Sequence, residues 1–207
     1  MPAALRPVDA ATLILLRGEG GATEALMGRR SARHAFMPSV YVFPGGRVDP
    51  GDGDRPRSGE PRADDGARLL AGLGSRGTAR RARALPLAAL RETWEETGLE
   101  PLGPTPDLGA LRYVARAVTP PGRTRRFDTR FFALRGRGDA ALAPATDELE
   151  DLRWVRLADT GELPFALITR LIRDELRARL DADAALDKDL PLPLYRNRHG
   201  TVVRETF

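Results

Sequence analysis

Cysteine is absent from the 207 residues. That excludes disulfides, thiolate metal sites and a cysteine nucleophile, and it is compatible with a reducing cytoplasm, the expected location. Histidine is nearly absent as well. His34 and His199 are too few and too far apart to suggest a zinc site, and each reads as a surface or loop residue. Phe, Tyr and Trp make up only 6% of the chain, which is sparse for the stacking platforms that recognise single-stranded RNA. No apolar run approaches the roughly 20 residues of a membrane span, so no membrane partner is expected. Leu13-Ile14-Leu15-Leu16 is too short for a signal core and reads as an internal strand. The 42% hydrophobic content fits a globular chain with one domain and one substantial core. What is present in excess is positive charge, +4 with a pI near 10.2, most of it arginine. It suggests attraction to anions without choosing between nucleotide phosphates and nucleic acid.

Apolar runs and their punctuation predict strands at 10–17, from about 24 to 29 and up to Phe43, then at 111–118, 127–134 and 152–155. Pro44-Gly45-Gly46 breaks the third run with residues that let the backbone approach a ligand closely. Residues 51–77 are rich in Gly, Pro, Asp and Arg. They read as an insertion with at most a short helix near 67–73, either a lid or partly disordered. Arg80, Arg81 and Arg83 mark a solvated helix or loop face. Leu167, Ile168, Leu171, Ile172 and Leu176 have the spacing of a helix packed on a sheet. The tail from Asp181 suits a hairpin around His199 and Gly200, which either closes the core or meets a second copy in a homodimer.

Glu92, Glu95 and Glu96 carry the chemistry. If residues 85–97 form a helix, with Pro86 in its first turn and Gly98 where it stops, about 100° per residue sets the three within a sector roughly 100° wide. Leu87, Leu90 and Trp94 then point the opposite way, so one face is buried and the other coordinates. Like charges at this spacing repel by about a few tenths of a kcal/mol per pair. A hard cation held by oxygen ligands would offset that repulsion, although the same spacing also suits a solvated helix face.

Phe43-Pro44-Gly45-Gly46 followed by Arg91-Glu92-x-x-Glu95-Glu96-x-Gly98-Leu99 resembles the signature of the Nudix hydrolases, G-x5-E-x7-R-E-U-x-E-E-x-G-U, where U is aliphatic. Thr93 takes the first U position, and Asp52, six after Gly46, stands where the first Glu would be. Gly46 and Arg91 lie 45 positions apart, 31 more than in the uninterrupted box. An interrupted box is similar to that of peroxisomal coenzyme A diphosphatase and its bacterial relatives. So are the upstream Arg30-Ser31, Phe36-Met37-Pro38 and Val42-Phe43-Pro44-Gly45-Gly46-Arg47-Val48-Asp49. Ser39 replaces the subgroup's glycine after Pro38, and Ala35 stands where its longer signature has arginine.

The resemblance implies an α/β fold, a Nudix-like α/β/α sandwich with a mixed β-sheet over residues 8–180. An insertion at about 51–84 lies inside the box, and 181–207 form a C-terminal extension. It implies hydrolysis of the diphosphate bond of a nucleoside diphosphate derivative with Mg²⁺ or Mn²⁺ as cofactor. Coenzyme A or an acyl-CoA leads; ADP-ribose, NADH and dinucleoside polyphosphates are alternatives. Glu92 and Glu96 are then metal ligands, Glu95 a ligand or a support for one, the Gly46 carbonyl a further donor, and Arg91 orients a glutamate. The general base comes from the box or from Asp147, Glu148 and Glu150, with Glu148 the residue expected; otherwise these three are ordinary loop acids. Arg30, in the arginine–serine element, and Arg126 are expected to bind substrate phosphates, with Arg29 and Arg125 near the same cleft. A noncatalytic nucleotide- or RNA-binding module on the same fold is the alternative from another class. The intact acidic trio and the few aromatics disfavour it, so the expected partner is a small nucleotide and not a nucleic acid.

Overall fold

A computed structural model of the chain describes residues 5–32, 38–136, 142–143, 146–159 and 163–207; His34, Ala35, Phe36 and Met37 lie outside the described residues. In chain order the elements are β1 (Val8–Arg17), β2 (Glu24–Arg30), β3 (Tyr41–Val42), β4 (Gly45–Arg47), α1 (Ala63–Leu73) and α2 (Ala79–Thr97). There follow β5 (Arg112–Val118), β6 (Phe127–Arg135), β7 (Leu149–Arg156), α3 (Leu167–Ala182), β8 (Pro193–Arg198) and β9 (Thr201–Thr206).

β1 is apolar without alternation because both its faces are covered. Ala11, Leu13 and Leu15 pack with Leu85, Ala88 and Ala89 of α2, whereas Ile14 and Leu16 pack with Ile172 and Leu176 of α3. One mixed sheet therefore lies between α1 and α2 on one side and α3 on the other, the expected α/β/α sandwich. Its main path runs β3-β2-β1-β6-β5-β8-β9, with β4 paired to β1 and β7 to β2. β1 and β6 run parallel, from Val8 opposite Phe127 to Leu16 opposite Arg135. The short β4 crosses antiparallel to β1, with Gly46 opposite Ala11, and so sets the Pro-Gly-Gly segment beside α2.

Three local expectations are corrected. First, α2 begins at Ala79 and not at residue 85, because the Thr78 hydroxyl accepts the Arg81 N–H at 3.1 Å and caps the helix. Pro86 is consequently inside the helix, where its ring removes one intrahelical donor. Second, the insertion is a docked part of the sandwich. Leu69 and Leu73 of α1 enter the core. Asp65 accepts the Tyr113 N–H at 3.1 Å and lies 3.2 Å from Arg112 Nε, while Arg112 Nη2 donates to Asp64 at 3.1 Å. Third, Trp94 is 48% exposed, whereas Thr93 and Glu96 are buried. The C-terminal half of α2 turns its acidic side toward the sheet, so the apolar–polar split expected for this helix does not hold there.

Gly98 does end α2, at φ 75° with its N–H on the Trp94 carbonyl. β8 and β9 form the expected hairpin, closed by His199 and Gly200 at φ 51° and 87°, the paired positive values a two-residue hairpin turn requires. It extends the sheet at β5 and buries Leu194 and Tyr195. Among the described residues no helix is long and apolar enough to cross a membrane.

Candidate active site

The site forms where α2 crosses β4, and the two glycines of β4 make that crossing close. An ideal Cβ on Gly46 would lie 2.4 Å from the Glu92 carboxyl carbon, so any side chain there would take the space the carboxylate occupies. Gly45 donates its N–H to Glu96 Oε2 at 2.8 Å. A Cβ on Gly45 would meet the Ala11 carbonyl at 2.5 Å, so the strand cannot back away to make room.

Arg91 organises the acids. Its Nε and Nη2 donate to the two oxygens of Asp52 at 2.9 and 3.1 Å, Nη2 also reaches the Arg47 carbonyl at 2.9 Å, and Nη1 lies 2.9 Å from Glu92 and 3.0 Å from Glu95. Asp52 is 2% exposed and Arg91 9%, so this is a buried bidentate pair. Burial alone would lower the proton affinity of Arg91; Asp52, Glu92 and Glu95 together raise it. Asp52 thus stands behind the acidic trio, and its second oxygen accepts the Asp49 N–H at 2.8 Å.

Glu96 is 2% exposed, and burial pushes its pKa up to about 8, against the Gly45 N–H and Arg30, and with the help of Glu92 and Glu148. Burial also raises Glu92; Arg91 opposes the shift, while Glu95 and Glu148 add to it. Arg30 is buried enough to lose proton affinity, offset by Glu96, Glu148 and Glu92. The structure thus brings Glu92, Glu95, Glu96, Arg91, Gly46, Arg30 and Glu148 to one place. Glu150 pairs with Arg29 at 3.2 Å in an exposed contact away from them.

Several carboxylates that raise one another's proton affinity in a half-buried setting have the donor type and the surplus negative charge that suit a hard divalent cation. Their present rotamers are set by protein partners: Glu92 and Glu95 face Arg91 Nη1, and Glu96 faces the Gly45 N–H. Among the described residues, no three acidic or histidine side chains converge on one point as they stand.

This acidic cluster opens into a cleft of about 1120 Å³ lined by Arg30, Gly46, Glu92, Glu95 and Glu148 at one end. Arg126 lines it farther along, where its guanidinium donates to the carbonyls of Thr119, at 3.1 Å, and Leu5. Sequence reasoning missed the contribution of Arg6, Arg123 and the β8 residues Tyr195 and Asn197 to the same cleft. The run from Arg123 to Arg126 after Pro120-Pro121-Gly122 was the available signal for the loop. The tail marked the hairpin, but nothing in it marked β8 as a wall of the cleft.

A family model described as NUDIX domain matches residues 76–175. The crystal structure of a NUDIX hydrolase from Alicyclobacillus acidocaldarius is 30% identical, with a TM-score of 0.67 over 88% of this chain and 96% of that one. The NUDIX domain of Shewanella oneidensis NrtR, complexed with ADP ribose, is 15% identical (TM-score 0.54; 85% and 90% covered). A C. elegans Ap4A hydrolase, solved as a binary complex, is 16% identical (TM-score 0.52; 84% and 98% covered). The last two share the fold. No curated protein matches the chain.

Proposed function

The chain belongs to the NUDIX hydrolase family and is a pyrophosphohydrolase, and from that premise we propose that it cleaves the diphosphate bond of coenzyme A or an acyl-CoA with Mg²⁺ or Mn²⁺. The observation that carries the metal-dependent hydrolysis is the Arg91 network, which holds Glu92 and Glu95 beside the buried Glu96 at the mouth of a cleft large enough for a nucleotide. The choice of coenzyme A rests on the interrupted box and the Arg30-Ser31 element.

When bound, a divalent cation would offset the charge on the bridging phosphates and acidify the attacking water. Glu92 and Glu96 would hold it, with Glu95 and the Gly46 carbonyl as further donors. The chain's own part is preorganisation. Asp52 fixes Arg91, Arg91 fixes the glutamate rotamers, and the missing Cβ of Gly46 leaves room for the Glu92 carboxylate. Glu148, charge-coupled to Glu92 and Glu96, accepts the proton of the water. Arg30, on the same rim, neutralises a phosphate oxygen. The water oxygen bonds to one phosphorus, the bridging oxygen leaves with the other, and coenzyme A would yield 4′-phosphopantetheine and adenosine 3′,5′-bisphosphate.

Incubation of the purified protein with Mg²⁺ or Mn²⁺ and coenzyme A, acyl-CoA, NADH, ADP-ribose and diadenosine polyphosphates, beside a Glu96→Gln variant, tests this. Turnover of coenzyme A or acyl-CoA by wild type alone supports the reading. Preferential turnover of ADP-ribose, NADH or a dinucleoside polyphosphate transfers it to that substrate. Salt-sensitive RNA binding without cleavage of anything would move the noncatalytic module ahead.

A further inference from the structure

We infer that the end of the cleft away from the acidic cluster is a second anion subsite, built by Arg123 and Arg125 with Arg6, which takes a phosphomonoester of the substrate remote from the scissile diphosphate. The inference rests on the hydrolase reading above and narrows its substrates to nucleotides that carry such a phosphate.

The two ends of the cleft differ in charge: the acids share theirs with Arg30, Arg47 and Arg91, whereas the other holds cations alone. The acidic lining residues, Asp49, Glu92, Glu95 and Glu148, all belong to the β4, α2 and β7 side. The lining contributed by the N-terminal segment and the loop between β5 and β6 contains Arg6, Arg123, Arg125 and Arg126 and no carboxylate. Many of the other arginines are matched to acids, among them Arg80 with Asp54, Arg81 with Asp9, Arg112 with Asp64 and Arg116 with Asp128. Arg123 and Arg125 are exposed and have no ion pair among the described residues. Three or four cations gathered without a counter-charge repel one another, and an anion between them relieves that.

The loop that carries them is tied down and so can hold a fixed subsite. Thr119 donates its N–H to the Phe127 carbonyl at 2.9 Å, its hydroxyl accepts the Phe127 N–H at 3.0 Å, and Arg126 bonds both Thr119 and the Leu5 carbonyl. Arg126 therefore builds the loop and joins it to the N-terminal segment, while Arg123 and Arg125 remain for a ligand. Phe43, Phe131 and Ala117 give the cleft an apolar stretch between the two ends.

Strand register fixes the separation. Gly46 is opposite Ala11, and Phe127, where the loop ends, is opposite Val8 on the other side of β1. Three residues along a strand and two strand spacings across give about 14 Å between the two backbones. That exceeds a single diphosphate and also the spacing of a phosphomonoester and a 5′-diphosphate on one ribose, so the long arginine side chains, and not the loop backbone, must make up the difference.

The test uses pairs that differ by one phosphomonoester: coenzyme A against dephospho-coenzyme A, and NADPH against NADH. Wild type is expected to show a kcat/KM for the phosphorylated member at least about tenfold higher, the size of one charge-assisted contact. In an Arg123→Ala/Arg125→Ala double variant that ratio should fall to about one, whereas Arg55→Ala, which removes an exposed arginine outside the cleft, should leave it in place. A wild-type ratio near one, a ratio unchanged in the double variant, or an equal collapse in Arg55→Ala overturns the subsite and leaves hydrolysis standing. Failure of wild type to cleave either member of either pair, with ADP-ribose or a diadenosine polyphosphate turned over, overturns the subsite and the coenzyme A assignment and leaves hydrolysis standing. Failure on all of these compounds overturns the hydrolase reading as well.

Discussion

Arg91 and Asp52, 39 residues apart in the chain, form a buried bidentate pair at 2.9 and 3.1 Å, and through it the insertion side of the molecule grips the helix that carries the acidic trio. Removing one partner of such a pair strands the other charge. Asp52→Ala should therefore cost about 3–5 kcal/mol of stability and lower kcat/KM as well. Urea unfolding checks the first part, and a loss under 1 kcal/mol would mean that Arg91 finds another buried acid.

Gly46→Ala should separate activity from stability. The new methyl group would displace the flexible Glu92 carboxylate while the strand keeps its place, so kcat/KM should fall on the order of 100-fold with the melting temperature close to wild type. Steady-state kinetics beside a thermal melt decides. Full activity would remove Glu92 from the site.

The pH dependence follows from Glu96. Its pKa rises from the ordinary 4.5 to about 8 on folding, so between these values the folded chain holds a proton that the unfolded chain has released. Stability of the metal-free protein should consequently decline as pH rises through that window, and saturating Mg²⁺ or Mn²⁺ should flatten the decline. Glu96→Gln, which cannot ionise, should weaken the slope and stabilise the metal-free chain at pH 8. Melts at pH 5, 6.5 and 8 with and without the cation test it.

Trp94→Lys tests the orientation of α2. With nearly half its surface in water, Trp94 should be replaceable within about 0.5–1 kcal/mol, whereas a core tryptophan would cost several times more. Chemical denaturation of the variant distinguishes the two.

Much of the fold was legible because its signals are local. The apolar run of β1, the spacing of α3, the stop at Gly98 and the turn at His199-Gly200 each follow from a few adjacent residues. The face of α2 was not, because helix periodicity assigns acids to solvent, whereas here glycine at 45 and 46 lets a strand approach closely enough to bury Glu96. The start of α2 was missed because Pro86 looked like a first-turn residue and the Thr78 cap lay in an arginine-rich stretch. Asp52 was visible by position, yet its partnership with Arg91 depends on how the intervening residues fold back. The docking of α1 through Asp64, Asp65 and Arg112 is likewise a long-range pairing that composition hides.

The most direct test is a crystal structure of the protein soaked in Mn²⁺, read by anomalous scattering. The account predicts an ion ligated by Glu92 and Glu96, at about 2.0–2.2 Å from their oxygens, with both side chains moved from their metal-free partners and the peak lost in Glu96→Gln. An ion bound elsewhere, or none while Glu92 and Glu95 stay on Arg91 under conditions that support hydrolysis, would contradict it.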